Sequence, residues 1–541
     1  MRLRFSFAVV QAAALGAVLA ANLAASVPGR WDGATDLRAG FQLERVLRAS
    51  DEHRYSVRLD SGAAIVGKAD QHGVDLVIDV YDPDGRQIAS IDSPNGSEGP
   101  EPFDITALRT GTYGFVVRVL DATAKPGSYV LTVDGVFAPA ENEVRLAKAA
   151  YPGPAIFDLW NASRADPKAA DALAASLKTP IVEPIAGNSA ELRVTYVYTA
   201  DADTGSVVMN GGPDYFGIHM RRIGRTNVFF CTQTVARDAR FAYVFTAAKL
   251  HHAGPRGEVT IPETIQTKPA LLELPDAPPQ PYVASRDGVP KGRTTRASIR
   301  SAILGETRDL SVYTPANYDG AVPSTLLIVF DGEVYGASPG QALVPTPTIL
   351  DNLIAEKKIG PTVAVLVAAM GTRNRDLPGS KPFADFIAGE LVPWARSHYR
   401  IGDGPKNVVV AGSSFGGFAA TYCAFTHPEA IGNVISQSGS YWVTKDWQSI
   451  RPPYPRDTGM MIDAFRSSPK LPIRFYLEVG RYDGGASMLG SNRELRDILL
   501  VKGYDVDYHE FDGGHQYAYW RGTLSDGLLS VLGRNRDAAI R

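Results

Sequence analysis

From residue 324 onward, short and almost wholly apolar runs recur: Ser324–Phe330, Thr362–Val367, Asn407–Ala411 and Ile473–Val479. A strand with no polar face cannot lie in a sheet that has one wet side; it needs cover on both faces. The stretches Pro382–Tyr399, Gly416–His427 and Asn492–Lys502 carry helical sequence that can supply the cover. Strand alternating with helix over residues 288–541 therefore predicts a mostly parallel sheet between two helical layers.

Upstream the period is two. Tyr55–Leu59, Val74–Tyr81, Thr112–Val119 and Ser128–Val133 read as strands separated by turns such as Asp82-Pro83-Asp84-Gly85. They predict a small β-sandwich over residues 38–136. Gly73-Val74-Asp75-Leu76, Asp82–Gly85 and Gly111-Thr112-Tyr113, in that order, resemble the bacterial pre-peptidase C-terminal domain, which implies an accessory module. Residues 137–180 are Ala-rich and read as a helical connector. Leu192–Tyr198, Val228–Thr232 and Phe241–Phe245 predict a second sandwich over 181–285, closed by the Pro-dense stretch Leu274–Pro281.

Composition excludes several classes. Lys and Arg number 55 against 58 Asp and Glu, so the basic excess that nucleic-acid binding needs is missing. Apolar residues at 45% and charged residues at 21% describe a folded chain. Residues 1–25 carry Arg2 and Arg4, an apolar run to Ala21 and the small-residue close Asn22–Ser26. That pattern predicts a secretory signal cut after Ala24 or Ala25, export to the periplasm or beyond, and no stable membrane span afterwards. Cys231 and Cys423 fall in different predicted domains and read as free buried thiols. His251-His252 would point opposite ways on a strand, so no metal or organic cofactor is expected.

Asn407–Ala411 leads into Gly412-Ser413-Ser414-Phe415-Gly416, and a small-residue helix follows. Gly-x-Ser-x-Gly between strand and helix presents the Ser hydroxyl on a strained turn, which makes Ser414 the candidate nucleophile. The N–H of Phe415 then faces a developing oxyanion. Such a turn at the end of a strand in a mostly parallel sheet is that of an α/β-hydrolase domain, in which acid and base follow the Ser in chain order. Of His427, His509 and His515, only His515 lies on a loop beyond the last long strand, as a general base should. Asp483 follows the preceding strand and is the candidate acid, with Glu478 and Asp512 as rivals. The second oxyanion donor should come from the loop after Phe330, at Gly332 or Glu333, with Glu333 favoured.

Leu272–Pro281, Val312–Pro315, Phe330–Glu333, Gly412–Gly417, Ser436–Trp442 and Gly513–His515 with Trp520-Arg521-Gly522 together resemble the enterochelin esterase family over about 180–535. The resemblance implies a serine hydrolase acting on the ester bonds of a catecholate siderophore, a small-molecule substrate. It maps nucleophile and base onto Ser414 and His515. Leu477-Glu478-Val479-Gly480-Arg481-Tyr482-Asp483 stands where the family commonly ends in Glu, which supports Asp483 as the acid. Its Arg-x-x-Glu-Leu run appears as Arg373-Asn374-Arg375-Asp376-Leu377, so Arg375 is a candidate ligand contact. Tyr335, Tyr441, Trp442, Tyr519 and Trp520 flank the catalytic loops and are candidate stacking surfaces for an aromatic acyl group. Two other readings fit the same residues: an esterase for feruloyl or acetyl polysaccharide, and a binding protein carrying an inactive hydrolase domain.

Overall fold

The computed structural model describes residues 31–93, 95–121, 123, 125–249, 264–336, 343–369, 371–447 and 458–533. The predicted secretory signal and His251-His252 lie outside the described residues. The chain forms two compact units that divide between Pro152 and Gly153.

In the first unit, a sheet ordered Thr35–Asp36, Glu52–Leu59, Gly111–Val119, Leu76–Tyr81, Gln87–Ile91 shares a core with a second sheet. The second runs Gln42–Leu47, Gly127–Phe137, Ala64–His72, Glu98–Thr106. Alternation sets the faces: Tyr55, Val57 and Leu59 are buried while Arg54 and Arg58 are exposed. Ile65, Ile78, Phe115 and Leu131 complete the shared core. The helix Pro139–Ala150 follows.

The second unit opens with the helices Pro154–Ala165 and Pro167–Ser176, each started by a Pro whose missing N–H would have no helical acceptor anyway. Two sheets come next. One is ordered Ile181–Ile185, Asn188–Thr199, Val228–Ala236, Arg221–Arg222; the other is built on Thr204–Gly211 and Arg240–Lys249. They enclose Val194, Tyr196, Met209, Cys231 and Phe241. Cys231 and Cys423 are both buried and free.

The C-terminal region holds an eight-stranded sheet. Its strands in chain order are β1 (Arg293–Arg300), β2 (Thr307–Thr314), β3 (Thr325–Val329), β4 (Thr362–Val367), β5 (Val408–Ser413), β6 (Asn433–Gln437), β7 (Arg474–Gly480) and β8 (Asp505–Phe511). In space they run β1-β2-β4-β3-β5-β6-β7-β8. The sheet is mixed: β2 is antiparallel to both of its neighbours, β1 and β4, and the six strands from β3 to β8 are parallel to one another. Both faces are covered. Leu326, Ile328, Val408 and Val410 enter one core, and Leu327, Val329, Val409 and Ala411 the other. The helices that matter below are α1 (Phe415–Thr426), α2 (Gly485–Val501) and α3 (Tyr517–Leu532).

The helix expected over Pro382–Tyr399 is broken by a π-helical turn at Ile387–Leu391 between Lys381–Phe386 and Val392–His398. Pro393 is the reason. It cannot donate to the carbonyl four residues back, and the wider turn moves that carbonyl off its ring.

Candidate active site

Chain reversal between β5 and α1 leaves one residue for the turn. Ser414 takes it with φ 58° and ψ −123°, a conformation that L-residues seldom adopt. Such strain survives only where neighbours over-determine it. Here the Ser414 N–H donates to the Gln437 carbonyl at 3.0 Å, and its own carbonyl accepts from Ser440 N–H at 3.1 Å and Phe418 N–H at 3.0 Å. Strand and helix cross too closely for side chains. A Cβ on Gly412 would sit 2.7 Å from the Gly416 carbonyl carbon, and one on Gly417 would sit 2.6 Å from Ser436 Oγ. The Ser414 hydroxyl lies 3.4 Å from Ser440 Oγ. The N–H groups of Phe415 and Gly416 open α1, where no intrahelical acceptor exists and the helix dipole is positive.

The strand β7 ends at Gly480 and leads through a tight turn to Asp483, which is fully buried. Past β8, the loop through Gly513 and Gly514 delivers His515. The His515 Nδ1–H donates to both Asp483 oxygens at 2.9 Å. That bond fixes the tautomer and leaves Nε2 as the ring's acceptor. The imidazole stands edge-on to Trp520, centroids 4.8 Å apart and planes at 86°. Trp520 in turn donates Nε1–H to Ser438 Oγ at 3.2 Å, one residue beyond the carbonyl that holds Ser414 N–H. One buried indole thus supports both the serine turn and the histidine loop.

The rival residues sit elsewhere. Glu478 is enclosed beside Gln437 Nε2 (3.0 Å), Thr523 Oγ1 (2.5 Å) and Tyr476 Oη (2.9 Å). Burial pushes its carboxyl up to about 8, against those three donors. Asp512 pairs with Arg481 at 2.6 Å. His427 bonds Asp385 and Glu429, and His509 bonds Asp507.

In the loop after β3, Asp331 adopts φ 53° and starts a single helical turn, Gly332–Tyr335. Val334 and Tyr335 N–H groups donate to the Asp331 carbonyl, while the N–H groups of Gly332 and Glu333 open the turn without helical acceptors. The Glu333 side chain points away and accepts from Ala369 N–H at 3.0 Å. Both backbone candidates for a second oxyanion donor remain.

Several expected ligand contacts land differently, Tyr441 among them: it is fully buried, with its hydroxyl 2.6 Å from Thr421 Oγ1 and 2.7 Å from Ser436 Oγ. Tyr335 is fully buried with its hydroxyl donated to Gln437 Oε1 at 2.7 Å; it is a core residue under the serine turn, not a pocket wall. Arg375 is held by Asp376 at 2.7 Å and Glu306 at 2.6 Å. Arg373, two residues earlier, borders the turn instead. It makes a bidentate pair with Asp331 (2.8 and 2.9 Å), and its guanidinium lies 5.4 Å above the Phe415 ring. Trp520 is 2% exposed and works from beneath His515. Trp442 does border the turn, 6.0 Å from the Phe415 ring, and Trp447 joins it at 5.0 Å. Nothing in the local sequence pattern singles out Trp447.

Residues 301–531 match the family described as putative esterase. An iron(III) enterobactin esterase of Dickeya dadantii (strain 3937) is 30% identical over 257 residues, 46% of this chain and 57% of the relative. An iron(III) salmochelin esterase of Escherichia coli O6:H1 is 30% identical over 237 residues, 43% of this chain and 56% of the relative. The match thus spans less than two thirds of these curated relatives' own length. In three dimensions, the enterochelin esterase of Shigella flexneri superposes with a TM-score of 0.52 at 22% identity, over 68% of this chain and 97% of that one. The ferric enterobactin esterase of Salmonella typhimurium gives 0.53 at 24%, over 65% and 96%. Among the described residues, no helix is long and apolar enough to cross a membrane.

Proposed function

We propose that this protein is an exported serine esterase whose substrate is a catecholate siderophore ester. The observation that carries the reading is the His515–Asp483 pair, joined through Trp520 to the residues that hold the strained Ser414 turn. The export part rests on the signal pattern of residues 1–25. The substrate part rests on what the similar proteins are named for.

In the proposed reaction His515 Nε2 takes the Ser414 hydroxyl proton as Oγ attacks the ester carbonyl. Asp483 keeps the imidazole oriented and stabilises the imidazolium. Negative charge grows on the carbonyl oxygen, where Phe415 N–H and an N–H from the Gly332-Glu333 turn can meet it. Collapse returns the proton to the leaving alkoxide and gives the acyl-enzyme and an alcohol. A water then gives its proton to His515, attacks the acyl carbon and releases the acid with Ser414 restored. The rings of Phe415, Trp442 and Trp447 offer an aromatic acyl group a surface to stack on, with Arg373 beside it.

Incubating the mature protein with ferric and metal-free enterobactin, beside Ser414→Ala, tests this by mass spectrometry. Linear products formed only by the unsubstituted protein are the expected result. An intact macrocycle in both samples sinks the siderophore reading. If a simple ester is still cleaved in the same tubes, the esterase chemistry stands and a different acyl substrate takes its place.

A further inference from the structure

We propose that Gln516 is a positioning residue for the His515–Asp483 pair, acting through a clamp on the backbone of Ala242 in the middle sandwich. The inference rests on the hydrolase reading above and adds a part to its machinery.

Gln516 follows His515 directly and is 274 residues from Ala242. Its side-chain amide bonds that backbone twice: Ala242 N–H donates to Oε1 at 2.6 Å, and Nε2–H donates to the Ala242 carbonyl at 2.8 Å. The opening for it is made by a strand that stops. Thr204–Gly211 pairs with Arg240–Lys249 up to Gly211 opposite Tyr243, then turns away at Gly211-Gly212 with φ of 90° and 69°. Gly212 N–H still reaches the Ala242 carbonyl at 3.1 Å, and Gln516 supplies the next rung. A Cβ on Gly211 would fall 2.2 Å from that carbonyl and 3.0 Å from Gln516 Nε2, so only glycine leaves room.

The acid loop is tied to the same sandwich. Tyr482 precedes Asp483, and its hydroxyl accepts from Ala236 N–H at 2.9 Å while its ring meets Phe241 edge-on at 5.7 Å. Tyr482 N–H donates to the Gly513 carbonyl at 3.2 Å, joining the two loops. A chain neighbour of the base and a chain neighbour of the acid are thus fixed to a domain that contributes neither. An amide has the one donor and one acceptor that a strand residue requires; methionine has the length without either, and an ionised glutamate lacks the donor.

The test uses the full chain. Fluorophosphonate labelling of Ser414 and hydrolysis of a p-nitrophenyl ester are followed in wild type, Gln516→Met and Gln516→Glu. Gln516→Met should lose on the order of 10- to 100-fold in kcat and labelling rate with KM little changed, because a small displacement of the base is felt mainly in the transition state. Gln516→Glu should recover ground relative to wild type as pH falls, because its protonated carboxyl regains a donor. If Gln516→Met does not accumulate as folded protein, Tyr482→Phe removes a single hydroxyl and carries the same expectation. Wild-type kcat and labelling rate in Gln516→Met, beside a reactive wild type, overturn the inference alone. A wild type inert to the probe overturns the hydrolase reading, and the inference with it.

Discussion

Glu478 has no part in the proposed proton transfers, yet its carboxyl is strongly altered by its place in the fold. Its pKa rises from 4.5 to about 8 because burial penalises the ion more than its three neighbours stabilise it. The folded state therefore holds a proton that the unfolded chain has released. That preference favours the fold fully below about pH 4.5 and is lost as pH climbs towards 8. A glutamine side chain in its place would not titrate, so Glu478→Gln should gain stability over wild type by up to about 1.4 kcal/mol per pH unit across that window. Urea unfolding at two pH values inside the window reads the difference. A constant gap would mean that Glu478 is already ionised in the fold. Single residues were also where the sequence was least legible. The Arg373–Arg375 run shows two guanidinium groups on one short helix, and only the neighbours Asp331 and Glu306, distant in sequence, decide which faces the serine turn. Tyr335 has the composition of a pocket wall and the position of a core residue.

Elements were more legible, and their physics explains which ones. Strands buried on both faces, such as β3 to β5, announce themselves as apolar runs. The strand β1 reads Arg-Thr-Thr-Arg-Ala-Ser-Ile-Arg because it is an exposed edge, and β6 ends on the buried polar residues Ser436 and Gln437. Neither carries that signal. The serine turn is legible because the glycines it needs are steric necessities rather than preferences. Gly412→Ala should therefore cost on the order of 1–3 kcal/mol, the scale of overpacking a tight site. The methyl group would press on Gly416 and shift the first turn of α1. Thermal unfolding measures the first effect and fluorophosphonate labelling of Ser414 the second; an unchanged labelling rate would show that the turn tolerates the shift.

At the scale of the whole molecule, every residue of the site and every partner described for it lies between Gly153 and Arg541, within one of the two compact units. A chain starting at residue 153 should fold and label at the full chain's rate. Circular dichroism and the same probe check this, and loss of labelling in a folded fragment would give the first sandwich a role in the chemistry. Sheet order and the bonds from Gln516 and Tyr482 to the sandwich could not be read from the sequence, because they join residues from tens to hundreds of positions apart and leave no periodic trace. The Ala242 rung also has a consequence for how such proteins can be recombined. Any replacement module must present a strand whose neighbour stops at the same height, since a neighbour that ran on would occupy the position of the Gln516 amide. Grafting the C-terminal domain onto a different sandwich would thus succeed or fail on where one strand ends, and compatible modules can be sought by that feature before any surface is matched.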